Sequence, residues 1–248
     1  MSEGLYVYGV VSKDAQLRDP SPSGDGTPDV ELVEAGDLAA LVSPAGGEDE
    51  ASVRESVLAH ARVLEHAIRD ATVVPMRFGM VFPDEDTVVK ELLERCDNQL
   101  AEWLERLEGR VQMTLKVYYH EESLLRELMQ ENKEIAQLHE QTRGDGASQD
   151  DRVRLGQLVF EATEQHRQRD GAELLEAIEP LVVATEVQPP EEDFMVLNAP
   201  LLVERDRQDE LEQQLEQLAE ERSELMRFRL LGPIPAYNFV SWEQPAWA

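Results

Sequence analysis

The chain is 248 residues long and carries 52 acidic against 23 basic side chains, a formal net charge of −29. With 42% hydrophobic residues it can bury a core, which excludes global disorder, and its length allows one large domain or two smaller ones. The charge repels nucleic acid and anionic lipid surfaces, which need basic patches, and no apolar run approaches the roughly 20 residues of a membrane-spanning helix.

Residues 5–11 are apolar on both faces between Gly4 and Ser12 and predict a central strand. Residues 19–29, rich in Pro, Ser, Gly and Asp, predict a loop, and 30–34 and 38–42 flank Gly36-Asp37 as a hairpin. After a second loop over 43–50, residues 51–71 predict a helix with Ser52 as N-cap. Its expected buried stripe is Val53, Val57, Ala61, Leu64 and Ile68. Residues 72–82 start as a strand that leaves the sheet at Pro75. The lone Arg77 in this apolar run needs a carboxylate or carbonyl partner, or it must surface. Asp84 caps a helix expected to run to Leu107, with Val89, Leu92, Cys96, Leu100, Trp103 and Leu107 as its stripe and Gly109 closing it.

Residues 111–120 alternate, with Val111, Met113, Leu115, Val117 and Tyr119 on one face. Gln112, Thr114, Lys116, Tyr118 and His120 lie on the other, which predicts one buried face and one that is wet or covered by a partner. Helices over 121–141 and 153–179 follow, joined by a turn containing Gly144-Asp145-Gly146. Then come strands over 181–187 and 194–203, a polar helix over 204–225, a strand over 226–231 and an extended Pro/aromatic segment over 232–240. Leu211, Leu215, Leu218 and Leu225 of the polar helix are read as covering the chain's own sheet, with a partner seam as the other reading. The order β, long α–α, β, β, α, β is the split βαβ order of a ferredoxin-like domain, with the first crossover lengthened into a helical pair. The first half reads β, β, β, α, β, α, a small sheet with helices on one side. The expected fold class is α+β, with an N-terminal domain at 1–109 and a ferredoxin-like domain at 110–248 that carries the tail.

Nothing in the sequence marks catalysis. The five histidines, His60, His66, His120, His139 and His166, do not converge, and His60 borders an apolar stripe as a structural residue would. There is no Walker loop, dinucleotide fingerprint or Gly-x-Ser-x-Gly elbow. The single cysteine, Cys96, reads as a small core residue and leaves no disulfide framework and no Cys-based metal site. Acidic pairs carry no information in a chain with 52 carboxylates. No catalytic residue, cofactor or metal is predicted, and the chain is not expected to be an enzyme. Four lysines against 19 arginines, on a diffusely acidic chain, fit a protein working in multimolar salt. There the screening length is about 3 Å or less, and self-repulsion is suppressed. The N-terminus lacks the basic and apolar regions of a signal peptide, so a cytoplasmic location is expected.

Three local features stand out: the Pro75-to-Phe82 run, the Asn198-Ala199-Pro200-Leu201-Leu202-Val203 strand, and Gly232-Pro233-Ile234-Pro235-Ala236-Tyr237-Asn238-Phe239-Val240. Together with Leu5-Tyr6-Val7-Tyr8-Gly9-Val10 and the helix around His60, they resemble the gas vesicle protein F / gas vesicle protein L family in order and across nearly the whole chain. Ala236 departs from the family pattern, where many members carry a second proline.

The resemblance implies a non-enzymatic accessory factor, located in the cytoplasm and at the gas vesicle, for assembling the gas-filled shell. Its implied partner is the small hydrophobic shell subunit, kept from aggregating or used to nucleate the vesicle, with other accessory proteins as further partners. The alternative is a generic oligomeric scaffold or chaperone-like module. Proline-interrupted apolar sequence at sheet edges points to two contact segments. Pro75, Arg77, Phe78 and Phe82 are the candidates in the first, and Pro233, Pro235, Tyr237 and Phe239 in the second.

Overall fold

The computed structural model describes residues 4–17, 20–21, 28–45, 50–144 and 148–242. Most of the predicted 19–29 loop (residues 19 and 22–27), Asp145-Gly146 and the Ser52 side chain lie outside the described residues. The chain forms two compact units, Met1–Gln112 together with Gly232–Ala248, and Met113–Leu231. The expected second domain, 110–248, therefore loses its tail: residues 232–242 return to unit 1, where Ala236, Phe239, Val240 and Trp242 are buried.

Unit 1 is built on β1 (Leu5–Ser12), β2 (Glu31–Ala35), β3 (Leu38–Pro44), β4 (Val74–Pro75) and β5 (Val81–Phe82). The sheet order is β2-β3-β1-β4, with β5 also pairing β1, so the first apolar run is central as its composition requires. The β2–β3 hairpin turns at Gly36-Asp37, with Gly36 at φ 57° supplying the left-handed residue. Helix α1 (Glu50–Asp70) covers one face, and its Val63, Leu64, Ala67 and Ile68 pack on Tyr8, Val11, Ala39 and Leu41. Val7, Val10, Ala40 and Val42 alternate with these, are also buried, and face the other side. There the 85–107 segment contacts β1–β4, so helices cover both faces rather than the expected one.

That segment is not the single helix its caps suggest. Asp84 does cap it, accepting from the Thr87 N–H at 2.8 Å. Helix α2 (Glu85–Thr87) then widens into a π-helical stretch, Val88–Glu94, and breaks before α3 (Asp97–Leu107). The wider turn shifts the buried stripe to Val88, Leu92, Leu93, Leu100, Trp103 and Leu107. Cys96 falls at the break and is only half-buried.

Unit 2 carries β6 (Arg110–Tyr119), α4 (Glu121–Glu131), α5 (Lys133–Thr142), α6 (Gln149–Ile178), β7 (Ala184–Thr185), β8 (Met195–Glu204), α7 (Gln208–Glu221) and β9 (Met226–Ile234). The predicted 121–141 helix is divided at Asn132, whose side chain caps α5. The sheet order β7-β8-β6-β9 is that of the split βαβ fold, so the α+β, ferredoxin-like expectation holds. Met113, Leu115, Val117 and Tyr119 face a core shared with α4–α7, and Leu211, Leu215 and Leu218 of α7 are buried in it. The leucine stripe therefore covers its own sheet. The opposite face of β6 is less wet than its polarity suggests: Gln112, Thr114 and Tyr118 are buried there.

A polar network lies within the unit 2 core. Asp170 of α6 accepts from the Tyr119 hydroxyl at 2.6 Å and from Arg169 Nε at 2.9 Å. Burial, then the Asp170 contact, pushes the Tyr119 phenol far up. His166 meets Glu131 through Nε2 at 2.9 Å and Arg169 through Nδ1 at 3.0 Å. Arg169 can only donate, so His166 Nδ1 accepts and Nε2–H donates to Glu131.

Candidate functional site

Of the segments singled out in the sequence, the strand over 5–10, the helix around His60, the Pro75-to-Phe82 run and the 232–240 tail meet in unit 1, whereas residues 198–203 are part of β8 in unit 2. Strand β1 supplies Tyr6 and Tyr8, α1 supplies His60, the β4–β5 connection supplies Phe78, and the returning tail supplies Tyr237. The His60 ring lies 5.7 Å from Tyr6, 5.6 Å from Tyr8, 5.9 Å from Phe78 and 6.4 Å from Tyr237, centroid to centroid. Tyr6 and Phe78 are 6.1 Å apart. These are the separations of mutually attracting aromatic pairs.

Backbone devices fix this cluster. The β1–β3 register shifts between Val7 and Gly9, and a bulge of this kind re-aims the residue beside it, here Tyr8. Its hydroxyl is 2.9 Å from Ser43 Oγ. Gly9 lies against α1 and β4: an added Cβ would meet Val73 Cγ1 at 2.8 Å and Leu64 Cδ2 at 2.9 Å. Gly79, at φ 89°, turns the chain outward just after Phe78 and donates its N–H to Tyr6 Oη at 3.1 Å. Tyr6 Oη lies 2.8 Å from His60 Nδ1.

Burial holds His60 neutral, its pKa pushed down to about 4, with the Met76 backbone opposing the shift. Its Nε2 makes no hydrogen bond of ordinary geometry. Burial pushes the Tyr6 phenol up to about 12, against the Gly79 contact that lowers it. Tyr237 is raised as well, by burial of its hydroxyl and then by the nearby Tyr6 and Glu65.

Of the eight residues expected to touch a partner, four are exposed: Arg77, Phe78, Pro233 and Tyr237. Arg77 surfaces, as one of its two predicted outcomes. Pro75, Phe82, Pro235 and Phe239 are buried and serve the core of unit 1 rather than its surface. Pro75 pairs with Gly9, and its carbonyl accepts from Trp242 Nε1 at 3.2 Å. Phe82 pairs with Leu5. Trp242 packs edge-on against Trp103 at 4.7 Å, which makes it an anchor for the tail. Neighbouring Asn238 exchanges two hydrogen bonds with Gln112, at 2.9 and 3.1 Å.

Hydrophobic spacing alone does not reveal that the early turns of α1, over 53–57, stay exposed. Val53 and Val57, expected in the buried stripe, are 48% and 44% exposed. They lie two turns and one turn before His60 on its face of the helix. With Phe78 at 43% and Tyr237 at 37% exposure, unit 1 presents an aromatic and aliphatic patch. A separate cavity of about 360 Å³ in unit 1 is lined by Ser12, Asp14, Ala15, Ala71, Thr72, Leu104, Glu105 and Glu108. It brings together carboxylates and hydroxyls without a histidine, lysine or cysteine. Among the described residues no helix is long and apolar enough to cross a membrane, and no His/Cys/Asp/Glu cluster could hold a metal ion.

The fold and this cluster define a two-unit α+β protein that displays an apolar aromatic patch on its sheet-based first unit. The chain belongs to the gas vesicle synthesis protein GvpL/GvpF family, whose model matches residues 4–241. It is 34% identical to gas vesicle protein F of a Streptomyces species over 239 residues, covering 95% of this chain and 98% of that one. It is 28% identical to gas vesicle protein F of the halophilic archaeon Haloferax mediterranei, covering 97% and 94%. Gas vesicle protein L of the same Streptomyces is 32% identical over 125 residues, 46% of this chain and 47% of that one. The crystal structure of GvpF from an Anabaena species superposes with a TM-score of 0.83 at 24% identity, covering 98% of this chain and all of that one, and shows the shared fold. Family membership implies a role in gas vesicle formation.

Proposed function

We propose that this chain acts in gas vesicle formation as a non-enzymatic binding factor. It holds the small hydrophobic shell subunit on the unit 1 patch and keeps it from aggregating before assembly. One observation carries the reading: four of the five recognised sequence segments converge on one aromatic cluster of unit 1 and leave Phe78 and Tyr237 facing solvent. A self-associating apolar subunit has to be covered, and a preformed apolar patch on a strongly acidic carrier can cover it and keep the complex in solution. The oligomeric-scaffold alternative loses its main support, because the α7 leucines are spent on their own core.

Full burial of a Phe side chain contributes roughly 1.5–3 kcal/mol, so the exposed part of Phe78 is worth about 1 kcal/mol on docking. Introducing a carboxylate there adds a desolvation cost. Co-expression with the shell subunit in multimolar salt, followed by co-purification, tests this. Phe78→Asp and Tyr237→Asp should each reduce the recovered complex about tenfold, while circular dichroism stays unchanged. Undiminished recovery with both variants would overturn the assignment of the surface. A free, soluble protein beside aggregated shell subunit would overturn direct chaperoning.

A further inference from the structure

Unit 2 carries a second surface of opposite character. β9 is the last strand of its sheet, and among the described residues no further strand pairs with its outer edge. The His120 N–H bonds to the Leu225 carbonyl at 2.8 Å, and the Arg227 guanidinium sits 4.0 Å above the Tyr118 ring. Numbers falling along β6 while rising along β9 mean the two strands run antiparallel. The same register, two residues on, sets Lys116 across from Arg229. Phe228 and Leu230 pack into the core, so Arg227 and Arg229 share the opposite face.

Three cations thus meet on two adjacent strands of a chain with a net charge of −29. Lys116 is matched by Glu191 at 2.6 Å, and Glu191 is held in turn by Asn198 at 3.1 Å. Arg227 and Arg229 are exposed, and neither makes an ion pair among the described residues. Like charges directly across a strand pair destabilise it, and Glu191 already offsets this for Lys116, so the unmet positive charge on this face is that of Arg227 and Arg229. Arg227 is already oriented by the Tyr118 ring, which lowers the entropy lost when it engages a carboxylate. Arginines two apart on a strand stand about 7 Å from each other, the spacing of alternate side chains on an extended partner.

We propose that the β9 edge is a docking site for an extended, acidic protein segment. The segment adds as a strand along β9, with the backbone edge supplying affinity and Arg227 and Arg229 selecting alternate Asp or Glu side chains. A long polyanion such as nucleic acid is disfavoured by the acid on the rest of the surface.

The test uses the full-length protein at the lowest salt in which circular dichroism shows it folded. Fluorescence anisotropy follows a labelled peptide of alternating valine and glutamate, with a single-stranded oligonucleotide of equal charge as the competing probe. The wild type should bind the peptide, and Arg227→Glu/Arg229→Glu should weaken binding at least tenfold. The milder Arg227→Gln/Arg229→Gln variant should weaken it in the same direction, which guards against misfolding of the charge-reversed protein. Arg54→Glu/Arg62→Glu on α1, the same change in net charge, should bind as the wild type does. No binding by the wild type, or equal binding by the β9 variants, would overturn the proposal and leave the arginines as guards of an open strand edge. Tighter, Arg227-dependent binding of the oligonucleotide would overturn the choice of a protein segment.

Discussion

His60 offers the sharpest test of the unit 1 cluster. Burial lowers its pKa from the ordinary 6.5 to about 4, and the residue is only 4% exposed, so solvent screening takes little from the effect. Above pH 6.5 the imidazole is neutral in both folded and unfolded chains and contributes no pH dependence. As the pH falls below 6.5 the unfolded chain takes up a proton that the folded one refuses, and stability is lost until the folded pKa is reached. One pKa unit is 1.36 kcal/mol, so the loss by pH 4 is about 3 kcal/mol. Many carboxylates titrate nearby in pH, but their contribution is shared with a His60→Gln variant and cancels in the difference. Urea unfolding followed by tryptophan fluorescence is the assay, because Trp103 and Trp242 both belong to unit 1. The wild type should lose about 3 kcal/mol more than His60→Gln between pH 7 and pH 4. Parallel pH profiles would show that His60 is solvated in the folded protein and that the Tyr6–His60–Phe78 arrangement is wrong.

Two further outcomes follow from buried contacts. Asp170→Ala strips the acceptor from the Tyr119 hydroxyl and from Arg169 within the unit 2 core. Arg169 is about half exposed and can turn to solvent, so the cost should be about 3 kcal/mol, the low end for a broken buried pair, read by far-UV circular dichroism in urea. Trp242→Ala removes the edge contact to Trp103 and the bond to the Pro75 carbonyl. It should cost about 3 kcal/mol at most, because the tail can peel away without opening the sheet. Limited proteolysis should then cut within 232–242, while the wild type, whose tail is packed into unit 1, should resist at the same sites.

What the sequence made legible was local. Apolar runs of strand length, the Gly36-Asp37 turn, the Asp84 cap and the β, α–α, β, β, α, β order of unit 2 all rest on short-range rules, and all appear in the structure. What escaped depends on distant parts of the chain. No periodicity rule anticipates seven π-helical residues, and that one irregularity moved the stripe from Val89 and Cys96 to Val88 and Leu93. Hydrophobic spacing along α1 is the same whether or not anything packs on it, so Val53 and Val57 read as core although both are exposed. The tail is contiguous with β9 in sequence, whereas its Phe239 and Trp242 are buried in the unit built from the first hundred residues. Proline at a strand exit signals an edge but cannot say which neighbours are covered. That is why Phe78 and Phe82, four residues apart in one motif, end on opposite sides of the surface boundary.

The turn at Phe78-Gly79 shows why that motif needs its residue types. Nothing lies within 4 Å of where a Gly79 Cβ would be, so space is not the constraint; the φ of 89° is. A side chain at 79 would strain the backbone that turns Phe78 outward and aims the Gly79 N–H at Tyr6. The glycine therefore couples display of the apolar ring to the buried Tyr6–His60 contact. The two proposed surfaces then differ in the physics that governs them. A patch of Phe78, Tyr237 and Val57 works by apolar burial, which salts excluded from the protein surface strengthen. A pair of arginines on β9 works by charge, which the same salt screens over a few ångströms. On this acidic chain, ionic strength separates the two: raising it favours the apolar partner on unit 1 and weakens the charge selection on unit 2.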